Sequence, residues 1–167
     1  MNEVTYRKIL VPLDGSGWAE RAIPHAMHIA RSQDAELVLL HVYRPPMYEY
    51  IDQIALAGVT EIADQIRERA ESYLLGLRNE LRQQGFNASY VVLEGLSPAA
   101  AIVDFVKKEG VDLVVMSTHG RTGLARFLFG SVAQKIVQSV SVPVMLVRPD
   151  EPEGTEVQNP EVGGSPS

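Results

Sequence analysis

Short apolar runs alternate along this chain with longer stretches in which apolar residues recur every third or fourth position. Lys8 to Leu13 (KILVPL) is short and apolar, and "DGSG" ends it, which predicts a buried strand followed by a loop. Ser16 then offers an N-cap, and Ala19, Ala22, Ile23, Ala26, Ile29 and Ala30 recur at helical spacing. Pro24 lies inside that pattern and predicts a kink or a delayed start. Glu36 to Val42 (ELVLLHV) predicts a second strand, and the proline- and tyrosine-containing stretch from Arg44 to Gly58 an irregular excursion. From Val59 the helical period resumes through Ile62, Ile66, Ala70, Tyr73, Leu74, Leu77 and Leu81, and Gly85 closes it. That stripe reads as core packing against a sheet rather than as a surface for a partner helix.

The second half repeats the alternation. Ser89 to Glu94 reads as a third strand, and Ser97 and Pro98 signal a helix start. Ala99, Ile102, Val103 and Val106 continue that helix to Gly110. Val111 to Met116 is a fourth predicted strand, Val132 to Val140 a last helix, and Val142 to Val147 a fifth strand. Continuous apolar strands separated by helices imply a parallel sheet covered on both faces, an open doubly wound α/β fold. Such folds bind ligands at the carboxyl ends of strands, where strand order reverses. Asp14 and the stretch after Met116 both directly follow strands.

Composition narrows the class. At 167 residues with 46% apolar and 22% charged residues, the chain is expected to form one soluble globular domain. Residues 1–149 are assigned to it. The acidic, Pro- and Gly-rich tail 150–167 is expected to be disordered. There is no cysteine, hence no disulfide framework and no thiolate chemistry. The segment before Asp14 has no apolar run of signal-peptide length, and no stretch suits a membrane span. A net charge of −6 argues against nucleic acid and against anionic membrane as partners.

The chemistry concentrates in MSTHGRTGLARFLFGS, Met116 to Ser131. It is neither a Walker A sequence nor a dinucleotide fingerprint, and "GSGWAE" after the first strand has Glu20 where a third glycine belongs. What it offers is Gly120, Gly123 and the pair Gly130-Ser131 at a helix start. The free N–H groups and partial positive charge of a helix N-terminus can hold a phosphate, glycine lets the backbone approach, and Ser131 can cap the helix. A loop that merely needs turns and a cap fits these residues equally well. His119, Arg121 and Arg126 can neutralise phosphate; Arg126 reads better as a solvated residue, and His119 has no second catalytic group beside it. His25 and His28 are spaced i, i+3 on a helix without a third metal ligand, so no metal site and no catalytic residue is assigned. Asp14 either caps the helix near Ser16 or binds a ligand's hydroxyl or amine at the predicted crevice.

VVMSTHGRTGLARFLFGSVAQKIV followed by VPVMLVRP resembles the C-terminal signature of the universal stress protein family, and KILVPLDGS and LLHV resemble its N-terminal half. The family's ATP-binding branch carries G-x2-G-x9-G-[ST]. Here Ser117 stands at the first position, Gly120 at the second, and Gly130 and Ser131 complete the motif. The resemblance implies strand order 3-2-1-4-5 and an adenine nucleotide at the reversal between the first and fourth strands. It implies that Pro12, Leu13 and Asp14 meet the adenine and ribose side, that Val42 gives adenine a backbone contact, and that Met116 and Ser117 lie beside base and sugar. Gly120, Arg121, Gly130, Ser131 and Val132 would surround ribose and phosphates.

It further implies a cytoplasmic, ATP-binding regulatory module, with magnesium on the phosphates, paired as a homodimer through Val142 to Val147. With no second carboxylate placed near the phosphate end to hold the metal or orient water, little or no hydrolysis is expected. Two alternatives stand beside it. One is a slow ATP hydrolase or phosphotransferase using Thr118, His119 or Ser131. The other is a nucleotide-free dimeric interaction module, because Ser117 replaces the first glycine.

Overall fold

A computed structural model describes residues 4–46, 53–118 and 130–148, with residues 53–57 described as backbone only. The elements are β1 (Lys8–Leu13), α1 (Gly17–Glu20), α2 (Ala22–Gln33), β2 (Glu36–Tyr43), α3 (Gln53–Gln83), β3 (Ala88–Glu94), α4 (Pro98–Lys108), β4 (Leu113–Ser117), α5 (Ser131–Ser139) and β5 (Val144–Val147). The five strands form one parallel sheet in the order β3-β2-β1-β4-β5. The expected architecture is therefore present, strand order included. The tail from Asp150 lies outside the described residues.

Strand alternation divides the core into two layers. Ile9, Val11, Leu13, Leu37 and Leu39 pack with Ala22, Ala26 and Ala30 of α2 and Leu74 and Leu81 of α3. Leu10, Val38 and Leu40 turn the other way, onto Ile102, Val103 and Val106 of α4 and Ala133 and Ile136 of α5. The central strands are apolar on both sides because helices cover both. Among the described residues, no helix is long and apolar enough to cross a membrane.

Local chemistry explains the boundaries. Pro24 delays the helix: a short α1 ends at Glu20, and α2 begins at Ala22 with Pro24 in its first turn, where a missing N–H costs least. The Ser97 side chain accepts from the Ala100 N–H at 3.4 Å and starts α4 as expected. Gly85, at φ 87°, lies just past the end of α3. Two expectations need correction. The irregular excursion does not extend to Gly58, because α3 begins at Gln53, where QIALA favours helix. Ile62 is not core but exposed; the buried stripe of α3 comprises Val59, Ala70, Leu74 and Leu81.

Candidate functional site

The carboxyl ends of β1, β2 and β4 open into a cavity of about 990 Å³. That is the upper end of the range for small-molecule sites, roughly 300–1,000 Å³. Its floor is the strand order reversal, with Pro12, Leu13 and Asp14 leaving β1 on one side and Met116, Ser117 and Thr118 leaving β4 on the other. Val42 closes it from β2, and Gly130, Ser131 and Val132 from the start of α5. Thus every described member of the expected set lines one cavity. Gly120 and Arg121 lie outside the described residues, as do His119 and Arg126.

Ser117 is the last residue of β4, paired with Val147, and only 6% exposed. Strand backbone accepts any residue, so a serine fits where the motif has its first glycine. Thr118 follows, its N–H donating to the Val147 carbonyl at 3.0 Å. The Thr118 carbonyl then accepts the Gly130 N–H at 2.7 Å, which brings the end of β4 against the start of α5. A Cβ on Gly130 would stand 3.1 Å from that carbonyl oxygen. Gly130 itself is the N-cap of α5, without a side-chain cap bond. Ser131 is thus corrected from cap to first helical residue. The close Gly130–Thr118 contact sets the cap one residue earlier. The first-turn N–H groups of α5 have no partner within the helix, and they carry its positive end beside the cavity.

Asp14 is not itself the helix cap. Ser16 caps α1, accepting from the Ala19 N–H at 3.2 Å, while the Asp14 Oδ1 accepts from the Ser16 N–H at 2.9 Å. His41, at the end of β2, stands 2.9 Å through Nδ1 from the Leu13 carbonyl. A carbonyl only accepts, so Nδ1 carries the proton.

The wall formed by α3 was not expected. Ile66, Arg69, Ala70 and Tyr73 all line the cavity, as does Arg44 beyond β2. Tyr73 donates to Glu20 Oε1 at 2.8 Å and meets the His41 ring edge-on at 6.5 Å. Burial, then the bond to Glu20, hold its phenol well above the ordinary range. No local motif marks these residues; the helical period alone gives a face, not its height above the strand ends. A second cavity of about 200 Å³ between α2 and α3 is lined by Ile23, Met27, Leu77 and Leu81 and reads as a packing groove. Among the described residues, no three His, Cys, Asp or Glu side chains cluster as for a metal ion.

A parallel sheet in this order, with a cavity at its reversal and a helix N-terminus beside it, defines a doubly wound α/β fold with a ligand crevice at its switch point. The chain belongs to the Universal stress protein family, which it matches over residues 5–148. It is 34% identical over 146 residues to Universal stress protein MJ0531 of Methanocaldococcus jannaschii, covering 87% of this chain and 84% of that one. Universal stress protein MJ0577 of the same organism is 31% identical over 157 residues, covering 87% and 96%. The solved structure of MJ0577 superposes with a TM-score of 0.77 at 30% identity, covering 89% of this chain and 100% of that one. An Arabidopsis thaliana universal stress protein family structure with AMP bound shares the fold at a TM-score of 0.58 and 20% identity, covering 86% and 92%.

Proposed function

We propose that the cavity binds ATP and that the protein is a nucleotide-dependent regulatory module of the stress response, with little or no hydrolysis. The observation that carries this reading is the convergence of Asp14, Val42, Ser117 and the Gly130-Ser131 helix start on one cavity at the sheet's reversal. Pro12, Val42 and Met116 offer an apolar bed for adenine. Asp14 accepts from ribose hydroxyls or the adenine amine, and its charge suits that end of the ligand, away from phosphate. Gly130, Ser131 and Val132 present the open N–H groups of α5 to the phosphates. The AMP held by the Arabidopsis structure lends support at the level of the fold.

Magnesium would arrive on the phosphates. Such an ion keeps most of its water and needs few protein ligands, so a cavity without a carboxylate cluster among the described residues fits it. The same feature supports slow chemistry. Asp112, the carboxylate nearest to β4 in sequence, accepts from the Arg7 and Lys8 N–H groups at 2.8 and 2.9 Å, at the opposite end of the sheet. The proposal includes a homodimer through β5 and a cytoplasmic location, with which the cysteine-free composition is compatible. Calorimetric titration with Mg-ATP tests the reading. Saturable one-to-one binding is expected, and no heat at millimolar nucleotide overturns it.

A further inference from the structure

The stretch Leu13-Asp14-Gly15-Ser16 carries more structure than a strand-to-helix turn needs. Gly15 takes φ 81°, which reverses the chain tightly enough for Ser16 to reach back to Asp14. Both donors of Ser16 meet the same carboxylate oxygen: its N–H at 2.9 Å and its hydroxyl at 2.5 Å from Asp14 Oδ1. The hydroxyl is also an acceptor, taking the Ala19 N–H at 3.2 Å. The three groups form a relay from the first turn of α1, through Ser16 Oγ, to the carboxylate. Each bond polarises the next, so the Ser16 hydroxyl is a stronger donor than an isolated serine. On the strand side, the His41 ring N–H fixes the Leu13 carbonyl at 2.9 Å. The Asp14 carboxylate is thus held by Ser16, and the backbone just before it by His41, at the edge of the cavity that Asp14 lines.

We infer that Ser16 is a positioning residue for the ligand: it locks the Asp14 carboxylate in one rotamer, as a preformed acceptor for the hydroxyl or amine donors of an adenine nucleoside. This inference rests on the proposed nucleotide site. A carboxylate free to turn would lose rotamer freedom on binding; one already held does not, and affinity gains by that difference. Two roles of Ser16 must be separated, because it also caps α1. Ser16→Asp keeps a good cap but replaces the donor by an acceptor that repels Asp14. Ser16→Ala removes the cap and the hydroxyl donor and leaves Asp14 only the backbone N–H bond, and Ser16→Thr keeps both side-chain roles.

The test has two readouts. Three-bond Hα–Hβ couplings of Asp14, measured on nucleotide-free protein, should report a single rotamer in the parent and in Ser16→Thr, and averaging in Ser16→Asp and Ser16→Ala. Mg-ATP affinity should fall roughly tenfold in the last two, on the order of one charge-assisted hydrogen bond, and stay within about threefold in Ser16→Thr. A thermal midpoint of Ser16→Asp close to the parent's shows that the cap is intact. Unchanged couplings in Ser16→Asp and Ser16→Ala overturn the inference, and so do altered couplings with unaltered affinity. If the parent itself binds no ATP, the nucleotide reading falls, and the couplings alone decide whether Ser16 positions Asp14.

Discussion

Gly130 shows why a single position in this site tolerates so little. Its φ of −67° is open to any residue, so backbone freedom is not the reason for a glycine. The reason is contact: a Cβ would press on the Thr118 carbonyl oxygen, 3.1 Å away, which the Gly130 N–H already holds at 2.7 Å. Relieving the clash lengthens that bond and moves the start of α5. Gly130→Ala is expected to cost about 1 kcal/mol of stability, the low end for overpacking, and Gly130→Val more. The valine variant should also bind ATP at least roughly tenfold more weakly, since a displaced helix start misdirects its N–H groups. Calorimetry beside thermal melts separates the two effects. Asp14→Ala should lose affinity by roughly ten- to a hundredfold, as for a hydrogen bond to a charged group, with a smaller effect on the melting temperature. If neither substitution weakens binding, the site lies elsewhere. Gly130 and Asp14 were legible because each stands where an apolar or helical pattern breaks. Arg69 and Tyr73 were not, because nothing in a helical period says which of its turns overhangs a strand end.

The tie between α1 and α3 depends on one proton. Tyr73 donates to Glu20 at 2.8 Å, and burial together with that bond raises its phenol above the ordinary value of 10.0. The fold therefore keeps a proton that the unfolded chain releases at a lower pH. The stability this contributes is fully present below about pH 10 and is lost as pH rises from there toward the folded value. Tyr73→Phe removes the dependence. At neutral pH the variant should be less stable by roughly 1–2 kcal/mol, having lost one bond to a charged partner. Between about pH 9 and 11 the parent's melting temperature should fall more steeply than the variant's, so that the gap closes. Parallel curves would show that the phenol is not what holds α1 to α3. Sequence pattern made most elements readable: β1 and β2 are apolar runs ended by turn residues, and Ser97-Pro98 marks the start of α4 in the same words as the structure. The start of α3 was hidden because Gly58 interrupts its first turns and the tyrosines before it look irregular. Helix propensity from Gln53 onward overrides both.

Sheet order decides what this chain can do as a molecule. β3 and β5 are its edges. On β5 the carbonyls of Pro143 and Val147 accept from Val114 and Thr118 of the β4 side, at 3.0 Å each. Backbone direction alternates along a strand, so Val144 and Leu146 turn their N–H and C=O groups outward. The missing donor of Pro143 thus falls on the inner side and leaves the outer edge intact. An apolar edge with open backbone groups is a template for pairing, and a two-fold axis lets the same strand of a second copy pair antiparallel, as an isologous contact. Met145 is 38% exposed on this strand and Val137 47% exposed on the adjoining α5, apolar surface that such a partner would cover. The expected state at micromolar concentration is a dimer, measured by light scattering as twice the chain mass. Met145→Lys places like charges near the axis and should raise the dimer dissociation constant by tenfold or more, while ATP affinity per chain stays within about twofold, because β5 contributes no residue to the cavity. A monomer at that concentration, or a dimer that the lysine leaves untouched, would move the interface away from this edge.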